Sequence, residues 1–309
     1  MQSINISILG DYSIASKFGK KGTSSDITLY DRKISDKIFT WILPTSFPDK
    51  IQSLIQSIYI SDYSVIYVNK LDKYFAEQII ALDSLGINNG YLLHSYDIDR
   101  NKIKSLINDT IISNFKILEN IEDLQREFYK LPEKTSTGPL VIPIDHSFDV
   151  KGVGTVVLGV IKTGKIRQYD KIKIFPQNKE LLVKSIQIHD DPVDEAICPS
   201  RVGLSIKGIS HDEINRGDIL CNNQDIKIST SEIKVETFKK NRYMKNDITE
   251  KQTYLLSIGL QIKPTKVIFE NSLSKLLLEK SMAYTSKQKF LLLSPENQGT
   301  RIIGDGILK

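Results

Sequence analysis

The sequence predicts an α/β layer followed by β-structure that closes into a small antiparallel barrel. Three observations carry this. Residues 1 to about 132 alternate between apolar, strand-like runs and amphipathic helical runs, which implies a mostly parallel sheet covered by helices. Residues 143–221 read as short β-branched strands broken by turns at regular intervals, the pattern of an antiparallel barrel. Between the two lies LPEKTSTGPL, residues 131–140, with two prolines and a glycine, which reads as a linker.

In chain order, residues 4–9 form an apolar first strand and residues 13–18 a short helical piece. Residues 27–30 and 38–43 are further strands. Ile51, Leu54, Ile55 and Ile58 recur at helical spacing, so a helix follows. Residues 64–68 and 91–94 read as strands; 75–85, 103–107 and 121–129 read as helices. In the barrel segment, residues 155–161 are β-branched and apolar, and Thr163-Gly164 turns the chain. Strands at 172–175, 181–188 and 201–206 follow, and Arg216-Gly217-Asp218 precedes the last one. A third region begins at about Gln224. It carries the basic run FKKNRYMK (238–245), an apolar stretch at 254–262 and a strand pattern at 300–308. The expected domains are 1–132, 133–223 and 224–309. There is no internal repeat.

A chain of 309 residues with 40% hydrophobic and 26% charged content fits a soluble globular protein of two or three domains. The net charge of +5 permits an RNA partner without requiring one. Two cysteines, Cys198 and Cys221, offer neither a disulfide framework nor a metal-ligand pattern, so a reducing cytoplasm is expected. No apolar run reaches the roughly 20 residues of a membrane span. The start, MQSINISILGDYS, lacks the basic and long apolar regions of a signal peptide.

The barrel segment contains IDHSFDVKGVGTVVLGVI, VKSIQ and RVGLSIKG. These resemble the second domain of translational GTPases of the elongation factor Tu superfamily, and most of all the selenocysteine-specific elongation factors. Gly152, Gly154 and Gly164 each permit a turn in any barrel. Their joint spacing with the flanking apolar residues carries the resemblance. The last motif, TRIIGDGIL, resembles the close of the third domain in the same superfamily. The resemblance therefore implies a second small antiparallel barrel and makes the first domain a truncated GTPase-like α/β domain. Selenocysteine-specific factors usually carry a further C-terminal domain, for which the 309 residues leave no room.

The resemblance weakens at the nucleotide motifs. A translational GTPase places G-x-x-x-x-G-K-S/T after its first strand, so that backbone N–H groups cradle phosphates, the lysine neutralises charge and the hydroxyl holds magnesium. Here that place reads Gly10-Asp11-Tyr12-Ser13-Ile14-Ala15-Ser16-Lys17, and only the first glycine survives. The family's D-A-P-G-H corresponds to Leu43-Pro44-Thr45-Ser46-Phe47, without the aspartate, glycine or histidine. The guanine-reading N/T-K-x-D corresponds to His94-Ser95-Tyr96-Asp97. Asp97 stays in register, either to accept from a guanine base or to cap the next helix. Gly10 and Asp97 thus mark a vestigial nucleotide site, and GTP hydrolysis is expected to be absent. Gly19–Ile27 partly resembles the family's switch segment, with Ser24 at the threonine. Lys20, Lys21, Thr23 and Ser24 are candidates for contact with an anion or RNA phosphate; the alternative is an exposed loop before a strand.

In the selenocysteine-specific factors an Asp-His pair and a later arginine help form the aminoacyl pocket. The matching residues are Asp145, His146 and Arg201. An arginine and an imidazole suit a selenolate or carboxyl group, and the aspartate orients donors. The alternative is structural: Asp145-His146 caps a strand entry and Arg201 pairs with Asp194 or Glu195. His189 and His211 read as surface residues. Lys239, Lys240, Arg242 and Tyr243, within the run ending at Lys245, form a candidate phosphate-and-stacking patch or else a solvated face.

No catalytic constellation, metal cluster or cofactor site emerges from the sequence. The leading expectation is a non-hydrolysing elongation factor relative that binds tRNA, another structured RNA or the ribosome. The alternatives are a divergent GTP-binding elongation factor, and a scaffold that holds a protein partner on the former switch face.

Overall fold

The computed structural model describes residues 2–222, 226–244, 246–270 and 272–309. The expected boundary at 223/224 and Lys245 of the basic run lie outside the described residues. The chain forms two compact units: Met1–Lys134 with Asn297–Arg301, and Thr135–Glu296 with Ile302–Lys309.

The first unit is built on a seven-stranded sheet. Its strands are β1 (Gln2–Gly10), β2 (Lys20–Ser24), β3 (Thr28–Ile34), β4 (Lys37–Leu43), β5 (Tyr63–Val68), β6 (Gly90–His94) and β7 (Lys116–Ile117). Their order is β2-β3-β4-β1-β5-β6-β7. β1 pairs in parallel with β4 and β5, and β6 and β7 extend the parallel part. β2 and β3 add an antiparallel edge. The helices are α1 (Ile51–Tyr59), α2 (Lys73–Leu85), α3 (Arg100–Ile107) and α4 (Ile121–Lys130).

Period-two alternation sends Ile4, Ile6 and Ile8 of β1 to one face, where they join Trp41, Val65, Leu93, Leu124 and Phe128 in one core. Asn5, Ser7 and Leu9 point to the other face and are buried as well, so both faces are covered, as a parallel sheet requires. The buried hydroxyls of Ser7 and Ser64 satisfy each other at 2.6 Å. α2 starts at Asp72, whose Oδ1 accepts from the N–H groups of Tyr74 and Phe75, and ends on Gly86 in the left-handed region. Asn297–Arg301 belongs to this unit through Arg301. Its guanidinium donates to Glu77 at 3.0 and 2.6 Å, and its backbone N–H donates to Glu77 Oε1 at 2.9 Å.

Two local readings change. Residues 20–24, read as loop, form edge strand β2, because the open edge of β3 offers backbone partners. Exposed Lys20 and Lys21 then protect that edge from further pairing. The helical piece near 13–18 is a 3-10 helix, Tyr12–Lys17.

The second unit holds two closed six-stranded antiparallel barrels. The first consists of β8 (Val141–Val150), β9 (Gly154–Val160), Lys171–Phe175, Lys179–Ile188, Arg201–Lys207 and Ile219–Cys221. Lys171–Phe175 closes it by pairing with both Lys179–Ile188 and Ile219–Cys221. The second runs Glu232–Lys240, Ser272–Leu278, Gln261–Glu270, Tyr254–Ile258, Lys289–Leu293 and Ile302–Leu308 around its circumference. Leu256, Val267, Leu276, Phe290 and Ile303 fill its interior. The apolar stretch 254–262 falls in a hairpin that turns at Gly259 with φ +61°. A Cβ on Gly306 would lie 2.1 Å from the Thr237 carbonyl oxygen, so the closing motif needs glycine for close strand approach. No helix among the described residues is long and apolar enough to cross a membrane.

Candidate ligand-binding site

The strongest polar constellation in the second unit forms where β8 bulges. The β8–β9 register slips between Ile144 and His146, which leaves Asp145 as the extra residue. Such a bulge re-aims side chains that strict alternation would send to opposite faces. Asp145 is buried, and its Oδ1 accepts from Arg201 Nη2 at 2.9 Å. The same oxygen lies 2.6 Å from His146 Nδ1. Arg201 opens its strand and pairs in register with Val160 of β9.

A fourth residue completes the cluster. Arg216 Nε donates to the Asp145 carbonyl oxygen at 3.1 Å, and its Nη2 lies 3.5 Å from His146 Nε2. Arginine only donates, so Nε2 is the acceptor and Nδ1 carries the proton given to Asp145. Burial opposes the charge on Asp145, but Arg201, His146 and Arg216 outweigh it and hold the carboxyl below its ordinary value. With one carboxylate and two guanidinium groups, the cluster carries one excess positive charge. Oδ2 of Asp145 and Nε of Arg201 are buried without a hydrogen-bond partner among the described residues. Orphaned buried polar atoms mark a place for water or a ligand.

The structure therefore brings Asp145, His146 and Arg201 together. It does not pair Arg201 with Glu195, which binds Arg167 at 2.5 Å and Lys165 at 3.4 Å. Arg216 was not among the residues singled out from the sequence; Arg-Gly-Asp before a strand reads only as a turn.

The other candidates lie elsewhere. Lys239 and Lys240 end their strand, exposed. Lys240 binds Asp247 at 2.8 Å. Tyr243 is 56% exposed, and the Arg242 guanidinium sits 4.9 Å from its ring centre. Lys20 and Lys21 are exposed on β2, and Thr23 is half-buried. Ser24 Oγ lies 3.0 Å from Thr28 Oγ1, which lies 3.2 Å from Thr45 Oγ1.

At the end of β1, a Cβ on Gly10 would lie 2.0 Å from the Tyr67 carbonyl oxygen. The following residues wind into the 3-10 helix. Asp11 Oδ1 accepts from Ser13 N–H at 2.9 Å, and Ala15 is fully buried. Asp97 is exposed, and the cap of α3 is Asp99 instead.

Comparisons with known proteins agree with this architecture. The model of elongation factor Tu domain 2 matches residues 154–221. The uncharacterized protein MJ0325 of Methanocaldococcus jannaschii is 36% identical over the whole length of both chains. The selenocysteine-specific elongation factor of the same organism is 31% identical over 62% of this chain and 45% of that one. The crystal structure of the elongation factor SelB from Methanococcus maripaludis, in complex with the GTP analogue GPPNHP, superposes with a TM-score of 0.85. It covers all of this chain and 79% of that one, at 22% identity. The chain belongs to the same family as MJ0325, an elongation factor-like family of the elongation factor Tu superfamily that lies close to the selenocysteine-specific factors.

Proposed function

We propose that this elongation factor-like protein binds tRNA without hydrolysing GTP, and that the Asp145–His146–Arg201 cluster receives the aminoacyl end. The observation that carries the reading is the buried cluster itself. It has net positive charge, and Asp145 Oδ2 and Arg201 Nε remain unpartnered among the described residues. A carboxyl or selenolate group suits those donors. Structured RNA and the ribosome are the wider partner class, in the cytoplasm. The patch of Lys239, Lys240, Arg242 and Tyr243 supplies phosphate and stacking contacts.

Two features support the absence of hydrolysis. The backbone N–H of Ser13 is already taken by Asp11, and an anionic side chain stands where phosphates would need donors. No lysine follows Ala15 directly; Ser16 does.

The deciding experiment measures binding of aminoacylated and deacylated tRNA at low and physiological salt, with and without GTP and magnesium. The expected result is tight binding that prefers charged tRNA and ignores GTP. Binding that appears only with GTP overturns the non-hydrolysing reading. No binding at physiological salt overturns the tRNA reading.

A further inference from the structure

We propose that the first unit binds the carboxylate of a small organic acid in an aromatic notch between β3, β4 and α4. β3 and β4 pair with Tyr30 opposite Trp41 and Arg32 opposite Phe39. Residues directly opposite each other share a face of an antiparallel pair, so Arg32 stands on the face that carries Phe39 and Trp41. Gln125, Phe128 and Tyr129 of α4 line the notch from above, and Phe18, at the end of the 3-10 helix, completes the wall. The notch sits beside the N-terminal half of β1, where Phe39 pairs with Ile4 and Trp41 with Ile6.

The Trp41 indole carries the proposal. Trp41 is 2% exposed, and its Nε1 is buried with no hydrogen-bond partner among the described residues. Three rings hold the indole in place. Phe39 stacks on it with centres 5.7 Å apart, and Phe18 and Phe128 lie at 5.6 and 5.9 Å. An indole N–H only donates, and a buried donor left unmade is costly. Trp41 therefore calls for an acceptor that the described residues do not supply.

Arg32 sets the charge of that acceptor. It lines the same notch from an exposed position and makes no ion pair among the described residues. No carboxylate lines the notch. Asp31 alternates to the opposite face, where its Oδ2 lies 3.0 Å from the place a Cβ on Gly22 would take. Gln125 already donates from Nε2 to the Lys17 carbonyl oxygen at 3.5 Å. A guanidinium beside an unmade N–H selects an anionic acceptor, whose hydrogen bonds are the strong ones.

Size narrows the class. The notch has a volume of 20 Å³, room for about one water-sized group. One carboxylate oxygen enters to accept from Trp41 Nε1, and the second stays at the mouth on the Arg32 side. Half-buried Ile34 and exposed Tyr129 flank that mouth and suit a short aliphatic chain. A tetrahedral phosphate presents no flat edge to a slot between stacked rings.

The test uses the isotope-labelled full chain. It contains a single tryptophan, so one indole N–H resonance reports Trp41. Acetate and propionate are titrated to about 10 mM, at ionic strength held constant with chloride, since ligands of so few atoms bind at about 1 mM. Acetamide, inorganic phosphate and a short glutamate-containing peptide with blocked ends are titrated in parallel. The variants are Arg32→Gln and Trp41→Phe, each checked for an unchanged melting transition, with calorimetry in place of the resonance for Trp41→Phe. Arg32 is exposed, so Arg32→Gln carries the test if Trp41→Phe does not fold.

The expected result is a saturable shift of the indole resonance with both acids and none with acetamide or phosphate. Affinity for the acids should fall about tenfold in each variant. The proposal is overturned if neither acid shifts the resonance, if acetamide or phosphate shifts it as the acids do, or if Arg32→Gln binds as the parent does. Binding of the peptide without either acid overturns it as well. The notch shares no residue with the Asp145–His146–Arg201 cluster, so these outcomes leave the tRNA reading to its own experiment.

Discussion

Nη2 of Arg201 and Oδ1 of Asp145 meet at 2.9 Å across 56 residues of sequence, with only 17% and 3% of their side chains exposed. A pair this dry depends on each partner, because the survivor of a broken pair keeps its desolvation cost. Arg201→Met should destabilise the second unit by about 3–5 kcal/mol, read by urea unfolding. Replacing both, Asp145→Leu with Arg201→Met, should recover most of that loss. A single variant that unfolds at the parental urea concentration would show that the pair is not held as described.

Acid stability follows from the same carboxyl. Burial resists the Asp145 charge, but Arg201, His146 and Arg216 more than offset it, so the folded-state value lies below the ordinary one. A depressed carboxyl contributes stability above its unfolded value and loses it as pH falls through the folded one. Asp145→Asn should therefore flatten the acid limb of stability against pH below the ordinary aspartate value of 3.8. Thermal unfolding across that range measures it.

The barrel patch makes a salt-dependent prediction. Lys239 is exposed at the end of its strand, whereas Lys240 already pairs with Asp247 at 2.8 Å. If the patch holds RNA phosphates, Lys239→Ala should lower the salt slope of tRNA binding by about one. Lys240→Ala should lower it less. Tyr243→Ala should weaken binding by about 1–3 kcal/mol, the stacking contribution of one base.

Within the first unit, Glu77 is 1% exposed and depends on Arg301 for its charge partner. The Arg301 guanidinium also lies 5.6 and 5.9 Å from the ring centres of Phe47 and Tyr74. Arg301→Leu should cost about 3–5 kcal/mol by stranding the carboxylate. Adding Glu77→Gln should restore part of it. Hydrogen exchange of α2 amides reads the effect locally.

Much of the fold was legible because its signals are local. The apolar strand-like runs at residues 4–9 and 64–68 mark β1 and β5, and the spacing of Ile51, Leu54, Ile55 and Ile58 marks α1. The edge strand β2 was not legible, since its polar residues acquire a strand only from the neighbouring edge of β3. The hairpin at Gly259 is not legible in the sequence, where residues 254–262 read only as an apolar stretch and the turn rests on a single left-handed glycine.

The site divides along the same line. Asp145, His146 and Arg201 could be chosen from motif spacing, but nothing in that spacing named the partner of Arg201. The choice between Glu195 and Asp145 depends on the β8 bulge and on barrel closure. Arg216 joins the cluster from 70 residues beyond His146, a distance no periodicity spans. Period and turn chemistry act over a few residues, so the chain order of strands, helices and barrels is written in the sequence. Which charges share a buried site depends on register between strands far apart in the chain, and that register exists only once the barrel has closed.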